Sequence, residues 1–312
     1  MTVDLNLPCP PQTDSTQAGS IEFPAARTHT LRSKYVPQTF KIQVMRPARP
    51  RGQTSRYPVV YVTDGNVVFE MFKAIAYLLQ LSDRDAPPFI LVGIGYPSDL
   101  PMSGALLRMR DFSFPRFPKF SVPIPPWEGV IVPEDGTHEI CGGEDFQQFI
   151  AHELIPLIDA TYETLPGERT YFGHSGGGVF GLFTLLTRST LFKNYIISSP
   201  ALSYHGEAPG GRHYHEYDFA LHEVQEFIHS GKSLDGIQLY LSAGAAEDFE
   251  PSLAPWRITS SVYRLAALLK SASIPGLELM TEIFPGETHM TAWPLAFIHG
   301  VQAILGTRRV GS

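Results

Sequence analysis

The chain has 312 residues, of which 43% are hydrophobic and 18% are charged, enough apolar material for one large core. Its formal net charge of −7 brings no basic surplus, which argues against nucleic acid as a partner. No apolar run approaches the roughly 18 residues of a membrane-spanning helix, so no membrane partner is expected. The two cysteines, Cys9 and Cys141, exclude a disulfide scaffold and favour a reducing, cytoplasmic location.

The beginning of the chain, residues 1–20, is polar and lacks both the basic and the apolar region of a secretory signal. We predict a flexible arm there, followed by a single domain over 21–312. In this domain strand-like and helical patterns alternate, which predicts an α/β fold with a mainly parallel central sheet and helices on both faces. Residues 39–45 alternate like a strand with one solvent-facing side, whereas 57–62 and 89–94 are continuous and β-branched like central strands. Further strands are predicted at 170–172, 195–197, 237–241 and 279–284, and helices at 67–81, 144–162, 179–187, 216–229 and 253–270.

Residues 97–143 interrupt this alternation with a segment that is rich in proline and phenylalanine. So long a stretch without periodicity is uncommon inside a compact domain and is typical of lids and binding loops. We predict that this insertion walls a pocket. The alternative is an ordered cover over one edge of the sheet.

The sequence Gly173-His174-Ser175-Gly176-Gly177 matches G-x-S-x-G and lies between a predicted strand and a predicted helix. This is the context of a nucleophile elbow, a sharp turn that holds a serine above the end of the sheet. The flanking glycines let strand and helix approach closely, and the helix N-terminus directs free N–H groups at developing negative charge. A phosphate-binding turn is disfavoured, because a Walker lysine and a G-x-G-x-x-G spacing are missing. Ser175 is therefore the candidate nucleophile, and His174 is expected to support the turn.

A serine hydroxyl needs a base to remove its proton, and histidine titrates in the right range. His289 lies in FPGETHMTAWP, a loop after the last predicted strand. This position fits the order of nucleophile, acid and histidine along the chain of an α/β-hydrolase. The acid is expected after the strand at 237–241, where Glu247 and Asp248 are equally suitable and Glu250 is less so.

These motifs resemble those of the putative-esterase branch of the α/β-hydrolase superfamily, which includes esterase D, siderophore esterases, feruloyl esterases and mycolyltransferases. The resemblance runs from about residue 40 to about residue 305, and the siderophore-esterase-like group is the most similar. It is carried by YVTDGN at 61–66, GIGYP at 93–97, R-x-x-D at 108–111, GGEDFQQFIAHELIPLIDATY at 142–162, GHSGGGVFGL at 173–182, SSPAL at 198–202 and GETHMTAWP at 286–294.

The resemblance implies which groups bind the oxyanion. The N–H of Gly176 would be the first donor and that of Asn66 the second, with Gly65 shaping the approach. The resemblance also favours Glu247 as the acid, because it follows a glycine by three residues, as the acid often does in the family.

For the substrate pocket, the resemblance brings the segment after GIGYP close to the sheet edge that carries the elbow. Aromatic residues of the insertion, including Phe112 and Trp127, are therefore predicted to contact the substrate. Arg108 is a candidate for binding an anionic or catecholate-like group, with a structural pair to Asp111 as the alternative. The family's SPSxWW segment reads SPALSYH here, and Tyr204 is the candidate to fill the place of its tryptophans.

The whole sequence predicts a serine hydrolase that cleaves a carboxylic ester, of a siderophore or of another bulky or aryl type, through an acyl-enzyme. Two alternatives stay open: acyl transfer to an alcohol acceptor, and a non-catalytic binding module on a hydrolase fold. No cofactor is expected, and no metal, since the pair His213 and His215 lacks a third ligand with suitable spacing. The expected partner is a small-molecule ester, and the sequence does not determine the oligomeric state.

Overall fold

The computed structural model describes residues 26–47, 55–82, 84–96, 107–113, 142–203, 205 and 219–306. Eight strands in these ranges form one sheet. They are β1 (Ala26–Arg32), β2 (Thr39–Met45), β3 (Tyr57–Val62), β4 (Ile90–Gly95), β5 (Thr164–His174), β6 (Asn194–Ser198), β7 (Ile237–Gly244) and β8 (Leu277–Phe284).

The strand order is β1-β2-β4-β3-β5-β6-β7-β8. β2 pairs antiparallel with β1 and with β4, and every other pair is parallel. The parallel strands β3 to β8 therefore end at one edge of the sheet, where open α/β proteins bind their ligands. The predicted sheet is confirmed.

Helices cover both faces of the sheet, and the core accordingly has two clusters of buried side chains. Successive residues of one strand enter different clusters, as Tyr61 and Val62 of β3 do. On the second face, Phe72 and Phe297 stack with their ring centroids 4.0 Å apart and join the first and last helices. The helices are α1 (Gly65–Leu79), α2 (107–111), α3 (Gly143–Phe149), α4 (Ile155–Thr161), α5 (Gly176–Thr187), α6 (Phe219–His229), α7 (Ile258–Ala272) and α8 (His289–Ile304), with a π-helical turn (Ile150–Leu154) between α3 and α4.

Several details of the fold differ from the predictions, and one of them is that His289, predicted in a loop, is the first residue of a helix. β1 was not predicted, because its sequence ARTHTLR is short and polar and forms an edge strand that only β2 contacts. The predicted solvent-facing side of β2 is wrong at Gln43, which is 8% exposed, because this side of the strand, which also carries Met45, faces the core cluster that includes the helix at 65–79. The predicted helix at 253–270 begins only at Ile258, after a separate 3₁₀ turn (Ala254–Trp256).

Candidate active site

Ser175 lies between the last residue of β5 and the first residue of α5. Its backbone has φ 57° and ψ −119°, a conformation that a non-glycine residue adopts only where its surroundings enforce it. The enforcing contact is a hydrogen bond from the Ser175 N–H to the carbonyl of Ser198 at the end of β6, at 2.9 Å. The side chain is half-buried at the carboxyl edge of the sheet.

Two glycines beside Ser175 are required by close backbone approach. A Cβ at Gly173 would lie 2.2 Å from the carbonyl oxygen of Gly177, and a Cβ at Gly177 would lie 2.6 Å from Thr63 Oγ1. Real Cβ atoms do not come so close to such neighbours. The glycines of the motif are therefore needed to make the turn tight enough to present Ser175.

His289 is the first residue of α8, directly after the capping residue Thr288. Its Nδ1 lies 2.7 Å from Oε2 of Glu247, in the turn after β7, and the Glu247 side chain is completely buried. The His289 ring also lies 4.4 Å, centroid to centroid, from the ring of His174, the neighbour of Ser175. The fold thus brings Glu247, His289 and the elbow together at the ends of β5, β7 and β8.

The other two acids near Glu247 have different partners. Asp248 accepts hydrogen bonds from the backbone N–H groups of Thr259 and Ser260, at 2.8 and 3.0 Å, in the first turn of α7. Glu250 accepts from the backbone N–H of His289 at 2.6 Å, where α8 begins. Both carboxylates satisfy N–H groups that lack partners inside their helices.

The side chain of His174 packs against neighbouring elements and so supports the turn that carries Ser175. Its ring stacks on Trp293 of α8 at 4.5 Å, and its Nδ1 lies 3.0 Å from Ser198 Oγ. Burial lowers the pKa of His174 well below its ordinary value, and the nearby His289 and Arg108 lower it further. His174 therefore packs as a neutral ring between Ser175 and α8.

The candidate oxyanion donors lie at two helix N-termini, where N–H groups have no intrahelical acceptor. Gly176 is the first residue of α5, and Gly65 and Asn66 are the first two residues of α1. A Cβ at Gly65 would lie 2.9 Å from the backbone of Gly93, so a glycine permits this approach. The turn before α1 is held by Asp64, whose φ is 58°.

Arg108 does not pair with Asp111. Its Nε and Nη2 donate to the two carboxylate oxygens of Asp64, at 2.7 and 2.9 Å, whereas Asp111 accepts from Arg110 and Tyr96. The Arg108 side chain reaches the turn before α1 and is held there by both oxygens of Asp64, while Asp111 is already paired with Arg110. Burial opposes the charge of Arg108, but the Asp64 carboxylate outweighs this and raises the pKa of Arg108 above its ordinary value.

The remaining predicted pocket residues are only partly described. Phe112 is 4% exposed and packs on Phe146 and Phe180, with its ring 3.6 Å from the position of a Cβ at Gly176. Tyr204 and Trp127 lie outside the described residues, as do most of the insertion, the arm at 1–20 and the pair His213 and His215. Within the described ranges, no group of three metal-ligating side chains is found, and no helix is long and apolar enough to cross a membrane.

Sequence reasoning did not single out Asp64 or Ser199, which contact the candidate site residues. Both are non-glycine residues with positive φ, and both lie in the quoted motifs YVTDGN and SSPAL. Asp64 lies two residues after β3 and Ser199 directly after β6, and this was a usable signal, since the ends of parallel strands carry the sites of α/β proteins.

The strand order, the elbow and the helices on both faces define an α/β-hydrolase. The family model described as "Putative esterase" matches residues 129–304, more than half of the chain. The chain belongs to this esterase family and is a carboxylic-ester hydrolase.

Individual relatives agree with this membership. The ferri-bacillibactin esterase BesA of Bacillus subtilis is 30% identical over 289 residues, which cover 91% of either chain. The siderophore triacetylfusarinine C esterase of Aspergillus fumigatus is 27% identical over 270 residues, covering 80% of this chain and 82% of that enzyme. The crystal structure of the BES protein from Bacillus cereus superposes with a TM-score of 0.69 at 25% identity, covering 90% of this chain and 96% of that protein.

Proposed function

We propose that this esterase is a serine hydrolase that cleaves the ester bonds of a siderophore, with Ser175 as nucleophile, His289 as base and Glu247 as the acid. The observation that carries the proposal is the 2.7 Å contact between His289 Nδ1 and Glu247 Oε2 beside the strained Ser175 elbow. A buried carboxylate on one ring nitrogen fixes the tautomer and leaves the other nitrogen to act as base.

In the first half of the reaction, Ser175 Oγ attacks the ester carbonyl while His289 takes the hydroxyl proton through its second ring nitrogen. The carbonyl oxygen becomes an oxyanion that accepts hydrogen bonds from the N–H groups of Gly176 and Asn66. The intermediate collapses, the bond to the alkoxy oxygen breaks, and His289 returns the proton to the departing alcohol. An ester of Ser175 with the acyl group remains.

In the second half, His289 removes a proton from water, and the resulting hydroxide attacks the acyl-enzyme. The tetrahedral intermediate collapses, the bond between the acyl carbon and Ser175 Oγ breaks, and His289 returns its proton to Oγ, so that the carboxylic acid is released and the hydroxyl of Ser175 is restored. The Glu247 carboxylate stabilises the imidazolium that forms twice in each cycle.

The siderophore substrate is supported by the names of the two curated relatives, both of which are esterases of siderophores. Such substrates are large, so contacts away from the reacting carbonyl contribute binding energy that a small ester cannot provide. The insertion at 97–143 is proposed as the source of these contacts, with Trp127 and Arg108 among them and Tyr204 as a further contact. Phe112, which was predicted to contact the substrate, is buried against Phe146 and Phe180 and is proposed to support the pocket wall instead.

The test compares wild type, Ser175→Ala and Ser261→Ala on siderophore lactones, S-formylglutathione and p-nitrophenyl acyl esters. Ser261 is a matched control, since it is a buried serine of α7 whose hydroxyl pairs with the hydroxyl of Ser203 and contacts none of the proposed catalytic side chains in the described part of the chain. We expect Ser175→Ala to lose several orders of magnitude in kcat and all labelling by a fluorophosphonate probe. An alanine variant that keeps a tenth of wild-type turnover would refute the nucleophile, and equal kcat/KM for lactones and p-nitrophenyl acetate would refute the substrate class.

A further inference from the structure

Ser199 follows β6 directly and has a backbone φ of 46°, in the left-handed region that a serine rarely occupies. Its N–H donates to the carbonyl of Ser242 on β7 at 2.7 Å, and its side chain has no exposed surface. Strain of this kind persists only where the surrounding structure fixes the residue, and it is frequent at functional positions. The backbone conformation at Ser199 determines the direction in which its hydroxyl points.

That hydroxyl donates to Oε1 of Glu247 at 2.7 Å. The same oxygen accepts from the backbone N–H of Gly244 at 2.5 Å, while Oε2 contacts His289. Both oxygens of a fully buried carboxylate are thereby engaged. Because hydrogen bonds to a buried charge are stronger than neutral ones, removal of one donor changes how the whole group is held.

We propose that Ser199 is a positioning residue, whose hydroxyl holds the Glu247 carboxylate so that Oε2 faces His289. This inference rests on the proposed roles of Glu247 and His289. The terminal torsion of a glutamate is broad and is set by its hydrogen bonds rather than by a steep rotamer well. Without the Ser199 donor, the carboxylate turns more freely, and fewer molecules have His289 oriented as a base.

The experiment compares Ser199→Ala with Ser199→Gly, and uses Ser261→Ala as the control for loss of a buried hydroxyl. Both Ser199 variants lack the donor, but glycine also relieves the positive φ. We expect both to lose about ten- to hundredfold in kcat with little change in KM, as removal of one hydrogen bond to a charge predicts. Wild-type kcat in Ser199→Gly overturns the proposal, because the backbone would then suffice without the hydroxyl. The glycine variant also provides the answer if Ser199→Ala does not fold.

A double-mutant cycle tests whether Ser199 acts through Glu247. In a Glu247→Gln background, Ser199→Ala is expected to change kcat by about twofold or less, since contacting residues that act as a unit are not additive. The same factor in both backgrounds overturns the inference. Full activity of Glu247→Gln alone would instead contradict the proposed function, so the two failures are distinguishable.

Discussion

At the scale of single residues, the turn after β7 shows how three acids within four positions acquire different roles. Glu247 and Asp248 are neighbours in a 3₁₀ turn, in which successive side chains point about 120° apart. One therefore points into the site and the other towards α7. The residue pattern alone left both acids open and only the family resemblance favoured Glu247, because adjacency along the chain does not reveal the direction in which a turn is presented to the rest of the fold.

Substitution of Glu247 is expected to lower kcat, whereas substitution of Asp248 is expected to lower the free energy of unfolding. Glu247→Gln keeps the size of the side chain but removes the charge that stabilises the imidazolium, so kcat should fall by orders of magnitude. Asp248→Asn should retain most activity and lower the free energy of unfolding by about 1 kcal/mol, because the amide nitrogen replaces one of the two oxygens that accept from the N–H groups of Thr259 and Ser260. Steady-state kinetics and urea denaturation of both variants separate the effects. A larger loss of kcat in Asp248→Asn would move the acid to that residue.

At the scale of elements, the hydrogen bonds at the N-terminus of α8 fix the position of its first residue, His289. Thr288 and Thr291 form a capping box, in which the Thr288 hydroxyl accepts from the N–H of Thr291 and the Thr291 hydroxyl accepts from the N–H of Thr288. Glu250 then binds the next N–H, that of His289. The start of the helix is thus defined to a single residue, which fixes the backbone from which the imidazole extends.

Removing the cap should therefore affect both stability and turnover. Thr288→Ala is expected to lower the free energy of unfolding by about 1 kcal/mol and to reduce kcat, since the first turn of α8 frays. Thr288→Ser preserves the oxygen and serves as the control in both assays. If Thr288→Ala loses stability but keeps wild-type kcat, the position of His289 does not depend on the cap.

The insertion is the element whose role is predicted from composition. We expect replacement of residues 114–140 by a short Gly/Ser linker to raise KM for siderophore lactones far more than for p-nitrophenyl acetate. The physical reason is the loss of apolar contact area, at about 25 cal/mol per Å². These boundaries preserve α2 and the Arg108–Asp64 pair, so the turn before α1 keeps its support. Equal losses on both substrates would show that the insertion is structural cover.

At the scale of the whole molecule, stability should depend on the protonation of His174. Burial lowers its pKa in the folded state, so below the ordinary histidine value of about 6.5 the unfolded chain binds a proton that the native chain does not. The contribution of His174 to the free energy of unfolding is therefore complete above that pH and declines as the pH falls, by up to about 1.4 kcal/mol per pH unit.

The comparison with His174→Gln isolates this contribution. The difference in unfolding free energy between wild type and His174→Gln should shrink between pH 7.5 and 5.5, as measured by chemical denaturation at several pH values. If the difference in unfolding free energy stays constant over this range, the pKa of His174 is the same in the folded and the unfolded protein, and the prediction is wrong.

The sequence predicted the strands and helices of the parallel half well, because buried βα units carry strong hydrophobic periodicity. It predicted Ser175 from G-x-S-x-G between a strand and a helix, and His289 from the chain order of a triad. It missed β1, whose edge position imposes no apolar pattern, and it missed the Asp64–Arg108 and Ser199–Glu247 contacts. Each of these joins residues more than 40 positions apart. Such contacts depend on which strand ends become neighbours, a property of the assembled sheet.

The strand order has a consequence for the protein while it is being made. Ser175 follows β5, but Glu247 follows β7, and His289 comes only after β8, at the sheet edge and hydrogen-bonded to β7 alone. A chain that leaves the ribosome from its N-terminus can complete the elbow long before its base has been synthesised. Because β8 adds to an open edge, its arrival requires no strand to move aside. If Ser175, His289 and Glu247 have the roles proposed above, the nascent polypeptide is expected to be inert toward esters until its last strand and helix dock, and products of interrupted translation are expected to be inactive.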